Sequence, residues 1–438
     1  MVTRISSPIF VGRADELAEL RRAWRLAGAG SGQLRLVFGE AGIGKSRLVA
    51  EFLEEVGGTG AVLRGRCLDV GEEILPFGPI AEILRDLLPE LLRAGDDDGA
   101  IDVATLAPLA SLSPAARTAN ASPDSAEEPR DEPFGQTRLF NAIGSALVAA
   151  ARRRPRCVTI EDAHWLDAAS RDLVRFLAHA LRDAPILVLL TVRDDGLRRA
   201  GATSRALGEL AREPHAGRID LPRFDVEEVA QQLHGILGRP PEPRLVAAVH
   251  DRSGGNPFFT EEIVALDIAA GSQVPPSLRD LLLSRLASLD AETRTLIDAA
   301  AVGGRWVPDA ALRLVADLPR TAFDRALRTA MSEHFLMPED RPEASGLAFR
   351  HALVRDAVVD DLLPTTRRDL HAAWAAAFDA ALPPSAATAE HWDRSGDVER
   401  ARAAYLRAAD AAETVHAYGD VLRLRERALA LLPAALRG

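Results

Sequence analysis

The sequence predicts an α/β domain built on a parallel sheet, followed by domains made almost wholly of helix, and three observations carry that expectation. Apolar runs of strand length, Leu34 to Phe38, Val62 to Arg66, Arg156 to Ile160 and Ile186 to Val192, are separated by longer stretches with helical spacing. That alternation gives parallel strands covered by helices on both faces. After Pro222 helical patterns follow one another almost without interruption, and the composition, 47% hydrophobic with only 5% aromatic residues, favours helix over strand.

The elements follow in order. Leu34 to Phe38 runs straight into glycine-rich sequence and then into the helical pattern Ser46 to Val56. Val62 to Arg66 is the next strand, and Pro79 to Leu92 a helix with Ile80, Ile83, Leu84, Leu87 and Leu88 on one face. Gly95 to Asp131, rich in Ala, Ser, Pro and Asp, reads as a solvated insertion with some helix. Helix resumes from Phe134 to Ala151, and a short strand around Arg218 to Leu221 closes the first domain. Helices are expected at Asp225 to Leu237, Glu242 to Ser253, Asn256 to Ala269, Leu278 to Leu286 and Ala291 to Val302, with a hairpin at Phe335 to Phe349. Beyond Pro383-Pro384 the Ala-rich stretch with Trp392, Ala401, Tyr405 and Ala408 has the small and large alternation of stacked helix pairs. One such unit cannot bury its face alone, so a longer superhelix is expected past this chain.

A chain of 438 residues is long enough for two to four domains. The net charge of −11 gives no chain-wide footprint for polyanion binding. Cys67 and Cys157 are too few and too far apart in sequence for a disulfide framework or a thiolate metal site, and are expected to be buried in a reducing cytoplasm. The start MVTRISSPIFVGR lacks the apolar stretch of a signal peptide, and no run of about 20 apolar residues follows, so no membrane insertion is expected.

Chemistry concentrates at Gly39-Glu40-Ala41-Gly42-Ile43-Gly44-Lys45-Ser46, which matches G-x-x-x-x-G-K-[ST] between a strand and a helix. The glycines let successive N–H groups face phosphates, and the helix that follows offers its positive end. Lys45 would reach the β and γ phosphates of ATP, the Ser46 hydroxyl would ligate Mg²⁺, and Arg47 follows in the same segment. Glu161 and Asp162 sit at the tip of the strand ending at Ile160; Glu161 is assigned to the metal and Asp162 to the attacking water. Arg193, just after the strand ending at Val192, is positioned to sense a γ phosphate, or is an ordinary loop arginine. His164 has no Cys or His partners at metal-ligand spacing; it and Trp165 are expected to pack the helix that Asp167 caps.

In combination, Phe10 to Leu17 (FVGRADEL), GEAGIGKSRLV, EDAHWLD, TVRDD, SGGNPFFTEEI and FRHALVRDAVVDDL resemble the signal-transducing ATPases with numerous domains (STAND), within them the large ATP-binding LuxR-type regulators. The resemblance covers residues 8 to 375 and is weaker beyond. It implies a P-loop NTPase domain over residues 1–222 with the insertion at 95–131, an all-helical lid over 223–276, a winged-helix-like domain over 277–378, and the start of TPR-like helical repeats over 379–438. It also implies that Val11, Gly12 and Arg13 pack near adenine and ribose, that Pro257 packs against the base, that Arg193 is the first sensor, and that His351 touches the β phosphate of ADP. Glu161 stands where many such ATPases carry Asp, which leaves the hydrolysis rate open.

The function so implied is an ATP/ADP-dependent switch that self-associates when ATP-bound, answers an inducer at the C-terminal repeats and is reset by slow hydrolysis. No helix-turn-helix precedes Gly438, so DNA contact is expected only through a domain absent from this chain. The alternatives are the ATPase module of a nucleotide cyclase or protein kinase, a scaffold that binds nucleotide without turnover, and a metabolic ATPase or kinase.

Overall fold

The computed structural model describes residues 7–57, 61–67, 76–93, 107–112, 135–193, 202–270, 278–339, 341, 344–381 and 383–432. Most of the expected insertion, Asp194 and residues 271–277 lie outside the described residues. Two compact units interleave along the chain. A loop unit comprises Met1–Leu17, Gly39–Glu51 and Asp220–Ala377; a sheet unit comprises Ala18–Phe38, Phe52–Ile219 and Phe378–Gly438.

The sheet unit is organised by β1 (Gln33–Gly39), β2 (Ala61–Arg66), β3 (Arg156–Glu161), β4 (Ile186–Arg193) and β5 (Ala216–Asp220), in the order β2-β3-β4-β1-β5. β2 pairs parallel with β3, Val62 opposite Cys157, and β3 parallel with β4, Thr159 opposite Leu189. β1 is buried along its whole length and β4 up to Val192, as strands covered on both faces must be, while the edge strands β2 and β5 carry exposed positions. Each central strand runs one residue beyond its apolar core, so Glu161 and Arg193 are the last residues of β3 and β4.

Helices α3 (Gly78–Arg93) and α4 (Gly135–Arg153) are tied to β3 by Arg156. Its fully buried guanidinium donates to both Glu90 carboxylate oxygens, at 2.9 and 2.5 Å, and to Ala150 O at 3.2 Å. That bidentate geometry is what lets a charge be buried here. α5 (Ala168–Ala180) follows β3, and α6 (Ala202–Leu210) follows β4.

Three C-terminal helices, α16 (Ala386–Ser395), α17 (Val398–Thr414) and α18 (Tyr418–Ala430), belong to the same unit. Ala401, Ala404, Ala408 and Ala412 line the buried side of α17, so neighbouring helices approach closely around the large Trp392 and Tyr405. Both large residues have a polar partner: Trp392 Nε1 donates to Asp379 at 2.7 Å and the Tyr405 hydroxyl to Asp393 at 3.1 Å.

In the loop unit, α7 (Val226–Leu237), α8 (Pro243–Ser253) and α9 (Pro257–Ala270) close around Val11, Phe224, Val229, Leu233, Val249 and Ile263. Asp225 and Glu228 form a capping box on α7, and Gly238 and Gly254 end α7 and α8 in the left-handed conformation. The remainder holds α10 (Leu278–Ala287), α11 (Ala291–Gly303), α12 (Asp309–Ala316), α13 (Arg320–Ser332), α14 (Ala352–Asp361), α15 (Pro364–Ala381) and an antiparallel sheet. In that sheet β6 (Trp306–Pro308), β8 (Gly346–Phe349) and β7 (Leu336–Pro338) lie in the order β6-β8-β7. The expected hairpin is β7 and β8; β6 was not expected, because a strand of three residues is too short to show a period of two.

Candidate functional site

β1 ends at Gly39 and α2 (Lys45–Val56) begins at Lys45, leaving a tight loop between them. Gly42 and Gly44 hold φ of 77° and 100°, a region L residues enter only at a cost. A Cβ on Gly44 would meet nothing within 4 Å, so the loop presents bare backbone on that side. The first turn of α2 contains Lys45 and Ser46 and no acidic residue. Lys45 is 8% exposed, and its Nζ donates to Gly39 O at 2.7 Å and Glu40 O at 2.8 Å, which closes the loop on itself. Ser46 and Arg47 are exposed, with Arg47 donating to Ile9 O at 3.0 Å, and Glu40 pairs with Arg223 at 2.8 Å. Open glycine backbone, a helix start and a lysine whose ammonium caps the loop carbonyls are the chemistry a polyphosphate needs, and these residues fit one.

The loop is held from downstream within the same unit. Asn256, 1% exposed, donates from Nδ2 to Ala41 O at 3.0 Å and accepts from Phe258 N at 3.1 Å. Phe258 N also approaches Gly42 O at 3.3 Å. Pro257 opens α9, and its carbonyl accepts from Gln232 at 2.9 Å. His351 stands at the start of α14 with its ring 3.9 Å from that of Phe258. Burial, with Arg350 and Arg305 nearby, lowers its pKa to about 3, so it is neutral.

Val11, Gly12 and Arg13 reach the loop from the other side of the sequence. Val11 is in the α7–α9 core, Gly12 has φ 64° and faces Glu228, and Arg13 has φ 63°. Arg13 Nη2 donates to Pro222 O at 2.6 Å and Ile43 O at 3.4 Å, with its guanidinium 4.9 Å from the centre of the Phe224 ring. Burial lowers its pKa from the ordinary arginine value. Ile43 itself is buried.

The acidic pair belongs to the sheet unit. Glu161 ends β3, and its carbonyl accepts from Cys67 N at 3.0 Å. Asp162 turns the chain with φ 54° and donates its N–H to Thr191 Oγ1 on β4 at 2.9 Å. Arg193 Nε lies 3.9 Å from Asp162 Oδ1, so the expected sensor arginine is an ion-pair partner of the expected water-orienting carboxylate. Asp167 caps α5, accepting from Ser170 N at 2.7 Å and Ser170 Oγ at 2.5 Å. Trp165, expected to pack on that helix, is 39% exposed, its ring 5.3 Å from that of His164 and tilted by 44°. Cys67 and Cys157 are buried; burial pushes the Cys157 thiol up to about 12 and raises that of Cys67 well above its usual value, so neither is a nucleophile. Among the described residues no three His, Cys, Asp or Glu side chains are grouped to hold a metal; a Mg²⁺ ion would depend on phosphate oxygens and water for most of its shell.

Asn256 and Thr191 escaped the sequence reading. Asn256 lies in the run SGGNPFF beside Pro257, and Thr191 lies inside a strand among apolar neighbours, so neither carries a spacing signal.

Residues 9–189 match the family described as AAA ATPase domain. An uncharacterized protein of Rhizobium meliloti is 27% identical over 462 aligned residues, covering 98% of this chain and 43% of that protein, so this chain spans less than half of that relative. A Signal Transduction ATPase with Numerous Domains (STAND) protein with a tetratricopeptide repeat sensor, from Pyrococcus horikoshii, is similar in structure with a TM-score of 0.56 and 16% identity, over 98% of this chain and 55% of that one. The fold, a parallel-sheet α/β P-loop ATPase domain followed by a helical region, is similar to that of the Pyrococcus protein. The matched domain implies nucleotide binding, with Mg²⁺ its usual companion. Among the described residues no helix is long and apolar enough to cross a membrane.

Proposed function

We propose that this chain is the ATP/ADP-dependent switch of a larger signalling protein, in its most specific form a LuxR-type transcriptional regulator whose DNA-reading and inducer-sensing parts extend past these residues. The parts are a nucleotide-binding domain (1–222), a helical lid (223–276), a winged-helix-like coupler (277–378) and the first TPR-like helices (379–438). The observation that supports it best is the chain of contacts Gly42–Phe258–His351. The carbonyl of Gly42 in the phosphate loop, the first turn of the lid helix α9 and the start of α14 share one phenylalanine. A ligand that alters the loop alters what the lid and coupler can pack against, which is the differential interaction a switch requires.

Each residue then has a task. The loop amides and Lys45 hold the phosphates, for which Lys45 leaves its carbonyl partners Gly39 and Glu40. Ser46 would be a ligand of Mg²⁺, and Glu161 is the acidic residue assigned to that metal. Asp162 orients or deprotonates the attacking water and must loosen from Arg193 to do so. Neutral His351 offers a ring N–H to the β phosphate of ADP rather than a charge. ATP supplies the scissile phosphoanhydride, and Mg²⁺ offsets its negative charge. The ATP form self-associates and hydrolysis resets it.

Phosphate release and self-association test this reading. Release is expected to fall by about two orders of magnitude in Lys45→Ala, and assembly to occur with ATP and not ADP; equal assembly with both nucleotides sinks the switch. The Arg193–Asp162 ion pair favours a second reading, a nucleotide-binding scaffold without turnover, which wild-type release no greater than that of Lys45→Ala would establish.

A further inference from the structure

The turn between α17 and α18 meets the starts of two helices of the sheet unit. The His416 ring occupies the place of a missing side chain at Gly135, the first residue of α4: a Cβ there would lie 2.7 Å from His416 Cε1. Gly419 does the converse against α5, where a Cβ would lie 3.0 Å from Ala168 Cβ. Asp420, 2% exposed, accepts from Ala168 N at 3.3 Å and Ala169 N at 3.0 Å. With Asp167 taking Ser170 N and Ser170 Oγ, the first turn of α5 is capped by two carboxylates, one local and one from the C-terminal helices. Only Ala163 to Leu166 separate that turn from Asp162. An exposed helix start is content with water, so a second, buried carboxylate brought from a distant helix is more than capping requires.

We propose that the turn His416 to Asp420 is the contact through which the C-terminal helices restrain the Glu161–Asp162 loop, with Asp420 acting as a removable cap on the helix that follows it. This rests on the nucleotide-switch reading above. The contact is proton-linked. Burial, and then the Asp420 charge, raise the pKa of Asp167 to about 7. Of the other groups nearby, Arg423 pairs with Asp420 at 3.3 Å and approaches Glu390 at 3.9 Å, Asp172 Oδ2 lies 3.6 Å from where a Gly419 Cβ would stand, and the buried Cys67 thiol feels the Asp167 charge. His416 accompanies Asp420 in the turn, with Nδ1 3.2 Å from the Tyr418 hydroxyl. Because the carboxyl is raised in the folded state, its contribution is fully present below its unfolded value and is lost as pH rises through about 7. The docked arrangement therefore takes up a proton, and the restraint weakens above that pH.

The test is amide exchange and Lys45-dependent phosphate release on the full chain, for wild type, Asp420→Ala, Asp420→Asn and the control Arg425→Ala, which breaks the exposed Arg425–Glu413 pair on the same helices. Asp420→Ala is expected to speed exchange in peptides covering residues 159–165 and 168–171 about tenfold and to raise phosphate release several-fold. Asp420→Asn keeps an acceptor for the α5 amides and is expected to retain slow exchange while flattening the change in release between about pH 6 and pH 8. Arg425→Ala is expected to match wild type. Faster exchange confined to residues 168–171, with 159–165 and phosphate release unchanged, would reduce the turn to a structural contact and overturn the proposal. If wild type shows no Lys45-dependent release, the switch reading falls, and exchange at 159–165 decides the coupling alone: faster supports it, unchanged overturns it. If Asp420→Ala does not fold, the Asp420→Asn profile decides, flat in favour and wild-type-like against.

Discussion

Two loops carry the candidate chemistry, and each is held by a residue far downstream, but with opposite electrostatics. From α9 and α14 the phosphate loop is braced by neutral groups, the Asn256 amide on Ala41 O and the Phe258 N–H near Gly42 O, with a neutral His351 against Phe258. The segment after the acidic pair is braced by carboxylates, Asp167 and Asp420, on the first turn of α5. A loop meant to receive polyphosphate gains nothing from fixed negative charge nearby, whereas a helix start offers free N–H donors for carboxylate oxygens to accept. The difference makes the two regions separable by pH. Stability tied to His351 is lost as pH falls from the ordinary histidine value toward about 3, because the unfolded ring takes up a proton the folded one refuses. Stability tied to Asp167 is lost in the other direction, as pH rises through about 7.

The largest expected effect is at Gly42. A Cβ there would stand 2.8 Å from Phe258 Cβ and 3.0 Å from Asn256 Oδ1, at φ 77°. Gly42→Val combines backbone strain with that clash and is expected to cost nucleotide affinity about a hundredfold by calorimetry; retained affinity would mean the loop is not braced as described. Asn256→Ala removes the bond to a buried carbonyl, worth about 1–3 kcal/mol. Its affinity loss should be the same at pH 6 and pH 8, and a pH-dependent loss would erase the contrast between the two braces.

His351→Gln comes next. Wild type should lose about 2 kcal/mol of loop-unit stability between about pH 6.5 and pH 5, from the 1.36 kcal/mol per pKa unit that linkage sets, and the variant should not. Denaturant unfolding at the two pH values measures this. The smallest effect is expected from Thr191→Val, which takes the acceptor from the Asp162 N–H at a cost of about 1 kcal/mol. Phosphate release should drop several-fold with ATP affinity unchanged; an equal drop in affinity would tie the two loops together more closely than their separate braces imply.

Much of this was legible in residue order. The strands β1, β3 and β4 announced themselves as continuous apolar runs because both their faces are covered, and the phosphate loop did so because its backbone needs glycine at fixed spacing. Arg193 was found at the right strand end but not in its pairing with Asp162, since an ion pair across two strands has no signature in spacing. β6 was missed for its length and Thr191 for its unremarkable strand environment. The exposure of Trp165 ran against its hydrophobicity, which the short 3-10 turn Ala163–Trp165 overrides.

By itself the sequence determined the loop that carries the candidate nucleotide chemistry: the conformation of Gly42 and Gly44 and the placing of Lys45 and Ser46 on the helix that follows are properties of neighbours in the chain. Only the tertiary structure decided what holds that chemistry in place. Asn256 on Ala41, His351 on Phe258 and Asp420 on the start of α5 are meetings between residues far apart in sequence, made possible by burial and shape rather than by spacing. Local conformation is encoded within a few residues; the side chains that brace it are chosen by the fold.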